Sequence, residues 1–126
     1  MNVKTWICVG ALLALTSVVM GAFAAHALKA TLSDYALNII DTGARYQMYH
    51  ALAIILVSLV SKQLNIRLYM TQACFTAGIV LFSGSLYLLA ITELRWFAYI
   101  TPIGGMLLIL AWVSLIFSVL KANTHV

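Results

Sequence analysis

Two short stretches hold residues that could do chemistry in an otherwise apolar chain. "GAFAAHALK" contains His26 and Lys29, and "TGARYQMYH" contains Arg45 and His50. Histidine changes its charge near neutral pH and can relay protons or bind ligands. The pattern predicts a polar site. It leaves open whether that site is a structural hydrogen-bond network or a site for a ligand, an ion or a proton.

Helical spacing gathers several polar side chains of the second stretch. Thr42, Tyr46 and His50 follow one another at i, i+4 and i+8, so they share one face of a helix, and Gln47 neighbours His50 at i, i+3. Arg45 is expected at the rim of this face. At about 1.5 Å per residue, His50 should lie roughly 7 Å deeper than Arg45.

A third stretch, "LFSGSLYLLA", supplies hydroxyl groups that can meet this face. The chain is so apolar that it is expected to form a helix bundle in a membrane. A histidine without a partner would be costly there, and polar groups of this kind usually face the bundle interior or water. We therefore expect one polar cluster near the outer interface, comprising His26, Arg45, Tyr46, Gln47, His50, Ser83, Ser85 and Tyr87. Either Arg45 or Arg95 could pair with Asp41 or Glu93.

Several specific chemistries fit the sequence poorly. His26 and His50 are expected at different depths, which disfavours haem ligation, and with Asp41 they lack clustered metal-ligand spacing. No phosphate-binding loop or nucleophile elbow is present. Cys8 and Cys74 lie in apolar runs and are expected to be inert packing residues. We expect no catalytic residues, no metal and no cofactor, and a protein that is not an enzyme.

Composition determines the solvent in which these residues must work. The 126 residues are 64% hydrophobic and 8% charged, whereas soluble domains carry about 25% charged residues. Backbone groups in lipid must be satisfied internally, so apolar runs of about 20 residues predict helices. We predict an all-α integral membrane protein forming one domain, an antiparallel bundle of four transmembrane helices at about residues 6–27, 44–60, 69–91 and 99–120.

The first connection is the longest and has a pattern of its own. In "KATLSDYALNIID" the apolar residues recur at helical spacing, and Thr31 followed by Asp34 resembles a capping box. We expect a short amphipathic helix at about residues 31–41, lying in the outer interface between helices one and two. Its simplest role is to cover the mouth of the bundle. His125, the third histidine, belongs to the C-terminal tail.

Charged residues indicate an orientation. Four helices put both termini on the same side, which carries four cationic residues, Lys4, Lys62, Arg67 and Lys121, against Lys29, Arg45 and Arg95 on the other. All three acids fall on the less basic side. The positive-inside rule therefore favours cytoplasmic termini.

Small residues in the apolar runs predict close helix contacts, because small side chains let backbones approach in lipid. The candidates are Gly10, Gly21, Gly84, Pro102, Gly104 and Gly105. Pro102 is expected in the first turn of the fourth helix, where its missing N–H costs little.

The stretches that hold the polar and small residues resemble the motifs of the YgdD-like family of small inner-membrane proteins. This family is domain of unknown function 423, and it has a relative in animals. The similar motifs are "GAFAAHALK", "TGARYQMYHALAI", "LFSGSLYLLA" and "TPIGG", in order across all four helices. The motif positions are Gly21, His26, Tyr46, Gln47, His50, Ser83, Gly84, Ser85, Tyr87, Thr101, Pro102 and Gly105. The resemblance implies a four-helix membrane protein and no established activity.

Together these patterns predict a multi-pass protein of a bacterial inner membrane with a structural or accessory role. Its expected partners are membrane lipids and a homo-oligomer or larger membrane complex; scattered basic residues without a stripe argue against nucleic acid. The alternative is a small oligomeric transporter or channel whose polar cluster binds a solute or relays protons.

Overall fold

The computed structural model describes residues 1–122, and His125 lies outside them. The described chain folds into four helices: α1 (Val3–Ala25), α2 (Asp34–Gln63), α3 (Tyr69–Thr92) and α4 (Phe97–Ala122). Three of them, α1, α3 and α4, are long and apolar enough to cross a membrane, by length and composition. The all-helical prediction is thus confirmed.

Helix α2 corrects the prediction of a separate interfacial helix. It begins at Asp34 and continues without a break for 30 residues. Its N-cap is Ser33, whose hydroxyl accepts a hydrogen bond from the Ala36 N–H, so the expected capping box at Thr31 is wrong. The amphipathic pattern is the inward face of the first turns of α2, because Ala36 and Ile40 are buried there. The Thr42–Gly43 pair does not interrupt the helix.

Helix α4 also starts earlier than expected. It begins at Phe97, so Pro102 lies in the second turn rather than the first. Because proline has no backbone N–H, the carbonyl of Ala98 receives no bond from it. Pro102 is exposed, which places it away from the close helix contacts that the sequence predicted for it.

Neighbouring helices run antiparallel, as their paired residues show for α1 and α2. A Cβ on Gly10 would lie 2.9 Å from the carbonyl oxygen of Ala51. Further along α1, the Ser17 hydroxyl donates to the carbonyl of Ala44. Residue numbers rise on α1 as they fall on α2, so the two helices are antiparallel neighbours.

The same reversal relates α3 to the helices on either side. Gln72 bonds Ser58 of α2, whereas Ser83 bonds the carbonyl of Gly43. On the α4 side, Thr71 pairs with Ser114, and Ser85 pairs with Thr101. The helices therefore pack in chain order, with α1 and α4 flanking α2 and α3, and the outward faces of the flanking helices are mostly apolar and exposed.

The two ends of the bundle differ in charge. The α1–α2 and α3–α4 connections lie at the end that also holds all three acids, Asp34, Asp41 and Glu93; we call it the acid-bearing end. The opposite end holds the α2–α3 connection together with Lys4, Lys62, Arg67 and Lys121, and no acid. We call it the basic end.

Glycines at helix contacts are only partly those that the sequence indicated. Gly104 packs on α3 so closely that an added Cβ would lie 2.7 Å from the Cα of Phe82. A Cβ on Gly105 would make ordinary van der Waals contact with the ring of Phe82. Gly10 is also at a close contact. A Cβ on Gly21 or Gly84, by contrast, would meet nothing within 4 Å. The expectation that these two glycines mark close helix contacts is not met within one chain.

Candidate functional site

Gln47 is the centre of a hydrogen-bond network that joins three helices. It is buried on α2, and its Nε2 donates to the carbonyl of Leu13 at 2.8 Å and to the hydroxyl of Thr16 at 2.7 Å, both on α1. Its Oε1 accepts from the hydroxyl of Tyr87 on α3 at 2.7 Å. Both donor hydrogens and the carbonyl oxygen of this amide are thus used within the protein.

Two buried serines extend the network one turn along α2. Ser17 of α1 donates to the carbonyl of Ala44 at 2.6 Å, and Ser83 of α3 donates to the carbonyl of Gly43 at 2.7 Å. The Tyr87 ring packs on Gly43, where a Cβ would lie 2.8 Å from a ring carbon. Glycine at this position lets the ring approach α2 and reach the amide of Gln47.

His50 lies outside this network. It is buried, and its Nδ1 is 2.7 Å from the carbonyl oxygen of Tyr46 on its own helix. Because a carbonyl only accepts, Nδ1 carries the proton in this arrangement. The ring packs against Phe75 of α3 and Trp112 of α4, at centroid distances of 5.6 and 6.1 Å. No described residue bonds its Nε2.

Three of the predicted cluster residues are exposed and do not join the network. His26 follows the last residue of α1. Its backbone N–H donates to the carbonyl of Ala22, and its side chain makes no hydrogen bond to a described residue. Its side chain lies at the acid-bearing end because α1 ends at Ala25. Arg45 forms an ion pair with Asp41, one of the pairings that the sequence indicated, with both side chains more than half exposed. Tyr46 packs its ring against Phe82.

Ser85 belongs to a different contact. Its hydroxyl is 2.6 Å from that of Thr101 on α4, so it joins α3 to α4 rather than to α2. Of the eight predicted residues, the structure brings Gln47, Ser83 and Tyr87 together around one stretch of α2.

Sequence reasoning missed the α1 side of the network and a second buried pair. Thr16 and Ser17 contribute from the middle of an apolar run. Towards the basic end, Gln72 donates to Ser58 at 2.7 Å, joining α3 to α2. One feature of the sequence could have identified all of these residues. Each is a polar side chain within a membrane-length apolar run, where it is costly unless it faces a partner.

The arrangement is closed rather than open. Within residues 1–122, Trp6 Nε1 is the one fully inaccessible side-chain nitrogen or oxygen without a hydrogen-bond partner, and the unbonded Nε2 of His50 keeps some exposure. No group of three or more metal-ligating side chains occurs in this part of the chain. The network can therefore fix the register and rotation of three helices, and none of the polar atoms of the Gln47 amide is left for a ligand.

Comparison with known proteins finds relatives that are named membrane proteins. Residues 20–105 match the family model described as "Protein of unknown function (DUF423)". The chain is 41% identical to a UPF0382 membrane protein of Staphylococcus aureus, covering 94% of this chain and 97% of the relative. It is 40% identical to the UPF0382 membrane protein YwdK of Bacillus subtilis, covering 94% and 98%. A UPF0382 membrane protein of Haemophilus influenzae is 42% identical, covering 85% and 86%. No solved structure matches the chain.

Proposed function

Because the chain belongs to the DUF423 family of membrane proteins, we propose that it is a multi-pass protein of a bacterial plasma membrane with a structural or accessory role. The observation that carries this proposal is the closed amide of Gln47, whose donors and acceptor all bond neighbouring helices. A polar group arranged in this way holds helices together. Interaction with lipids or with other membrane proteins then takes place on the outer surface of the bundle.

The proposal includes a fourth crossing by α2. This helix has 30 residues and packs against α1 on one side and α3 on the other. At about 1.5 Å per residue it is roughly 45 Å long, enough to cross the bilayer. The sequence of α2 is less apolar than that of its neighbours, in part through Gln47 and His50, but both of these side chains are buried among the other helices rather than exposed to lipid.

The proposal also includes an orientation. With four crossings both termini lie on one side of the membrane, at the basic end. The excess of Lys and Arg at this end supports a cytoplasmic location for it, by the positive-inside rule. A C-terminal reporter that works only in the cytoplasm should then be active, and one that works only outside should be silent. The reverse result would exclude this orientation, and opposite results for N- and C-terminal fusions would exclude the crossing by α2.

A transporter or channel is the second candidate, and one observation favours it. The Nε2 of His50 is bonded by no described residue, although this residue is buried, with 7% exposure. A histidine with a free ring nitrogen can accept a proton. With only four helices in one chain, a path past this ring requires a second copy.

Substitutions at His50 and Gln47 distinguish the two functions. The strain that lacks the gene is complemented with each variant, and the stability of each purified variant is measured in detergent. In a structural role, complementation follows stability: Gln47→Leu lowers both, and His50→Gln, which can still donate to the Tyr46 carbonyl, preserves both. Loss of complementation by His50→Gln at unchanged stability would instead favour proton or solute transport.

A further inference from the structure

A cleft of about 670 Å³ opens at the acid-bearing end, away from the network around Gln47. It lies between the first turns of α2, the last turn of α3 and the start of α4. Its deepest residues are Ala36 and Ala90, which are 4% and 2% exposed, and Ile39 lines the cleft beside them. Small side chains where three helices meet leave this space, and its floor is apolar.

Two opposite charges line the cleft without neutralising one another. Glu93 and Arg95 both belong to its lining, and within residues 1–122 neither forms an ion pair. Arg45, at the same end but outside the cleft, is paired with Asp41. An anion and a cation held in one cleft, each free to bind, are the complement of a ligand that carries both charges.

The backbone conformation at Glu93 is one that rarely accommodates a side chain. Glu93 ends α3 with φ 58° and ψ 12°, in the left-handed region. Helices commonly end in this conformation at glycine, which has no Cβ to hinder it. Glycine would therefore make the same turn with less strain, but it would remove the carboxylate from the cleft. An observed outlier of this kind supports a hypothesis of function.

Exposed aromatic rings around the cleft favour a position for it at the level of the lipid headgroups. Tyr35 and Tyr99 line it and are 73% and 78% exposed, and Trp96, which follows Arg95 in the chain, is 55% exposed. Tyrosine and tryptophan concentrate where a membrane meets water. A ligand in the cleft would have its charges near Glu93 and Arg95 and any apolar part against the floor. These properties describe an amphiphile better than a soluble molecule.

We propose that this cleft binds the headgroup of a zwitterionic phospholipid that carries a primary ammonium, such as phosphatidylethanolamine. Glu93 accepts hydrogen bonds from the ammonium, and Arg95 donates to the phosphodiester, for which a guanidinium is well shaped. The hydroxyl groups of Tyr35 and Tyr99 can donate to the same phosphate. This proposal goes beyond the proposed function, and it holds whichever side of the membrane the cleft faces.

Lipid titration of the purified full chain in detergent tests the proposal, with bound lipid counted by native mass spectrometry. Phosphatidylethanolamine should bind more tightly than phosphatidylglycerol, which lacks the ammonium, or phosphatidylcholine, whose quaternary ammonium has no N–H to donate. Soluble phosphoethanolamine shares the charges but lacks acyl chains, so it should bind weakly. Equal binding of the three lipids would overturn the proposal, and equally tight binding of phosphoethanolamine would overturn the lipid as the source.

Variants assign the selectivity to the cleft. Glu93→Gln and Arg95→Gln should each weaken phosphatidylethanolamine binding about tenfold, the expected effect of losing one charge-assisted hydrogen bond. Asp41→Asn, which removes a carboxylate at the same end but outside the cleft, should leave binding unchanged. Unaltered binding by both Gln variants, or an equal loss in Asp41→Asn, would refute the assignment.

Glu93→Gly separates a ligand role from a structural one. Glycine adopts the left-handed backbone conformation without steric strain, so the melting temperature should stay the same or rise. The preference for phosphatidylethanolamine should be lost, because the carboxylate is gone. A lower melting temperature with the lipid preference intact would show that Glu93 serves the fold and would overturn its role as a ligand.

Discussion

Replacement of Gln47 by leucine tests most directly whether the polar network holds the helices together. Leucine has nearly the same size but forms none of the three hydrogen bonds that the amide makes to α1 and α3. The Leu13 carbonyl and the Thr16 hydroxyl keep bonds within α1. Tyr87 keeps none, because its hydroxyl has Gln47 as its one partner within residues 1–122.

The structure gives the expected magnitude. Hydrogen bonds between membrane helices contribute about 0.6 kcal/mol each on average, so three of them give about 2 kcal/mol. A buried donor left without a partner costs about 1–3 kcal/mol, which agrees with this sum. Gln47→Leu should therefore lower the free energy of unfolding by about 2 kcal/mol. Tyr87→Phe, which removes one bond and leaves the Gln47 oxygen unpaired, should lower it by about 1 kcal/mol.

The double variant shows whether the two side chains act together. With both changes no unpaired group remains between them, so the combined loss should be smaller than the sum of the single losses by about 0.5–1 kcal/mol. The assay is loss of helical circular dichroism as denaturing detergent replaces a mild one. Thr42→Val is the matched control, since the Thr42 hydroxyl donates to Asn38 of its own helix and is exposed.

Three results would refute this reasoning. If Gln47→Leu were as stable as the wild type, the amide would contribute nothing net to the fold. If the effects of Gln47→Leu and Tyr87→Phe added without coupling, the bond between them would carry no energy. A loss in Thr42→Val equal to that in Gln47→Leu would show that any polar residue on α2 behaves alike, whether or not it contacts another helix.

Two further predictions concern positions where sequence and structure differ. Gly104→Ala should lower the melting temperature, because the new Cβ would lie 2.7 Å from the Cα of Phe82, whereas Gly84→Ala meets nothing within 4 Å and should leave it unchanged; equal falls would contradict the packing described. His26→Ala should change the free energy of unfolding by less than about 0.5 kcal/mol, as is usual for exposed side chains. A loss comparable to that of Gln47→Leu would instead place His26 in the network.

Much of the helical architecture follows from local properties of the sequence. Low charge and long apolar runs predicted the helices now bounded as α1, α3 and α4, to within a few residues at each end. The spacing of Tyr46, Gln47 and His50 placed them on neighbouring positions of one helix, as observed. These features depend on residues close in the chain, so the sequence alone is sufficient to predict them.

The start of α2 shows where local properties mislead. The segment before Thr42 is amphipathic, and Thr31 followed by Asp34 resembles a capping box, which together indicated a separate helix at the membrane surface. Burial of Ile40 against the neighbouring helices, and the close fit of Tyr87 on Gly43, favour one continuous helix instead. Both contacts join residues distant in sequence.

The sequence by itself determined that polar side chains within apolar helices must find partners, because an unpaired polar group in lipid is costly. Only the tertiary structure decided which partners they have. The depth and rotation of each helix brought Tyr87 to Gln47 and turned His50 towards Phe75 and Trp112. His26 was left outside because α1 ends just before it. Helix depth and rotation are set by packing along the whole length of the helices, and no short stretch of sequence contains that information.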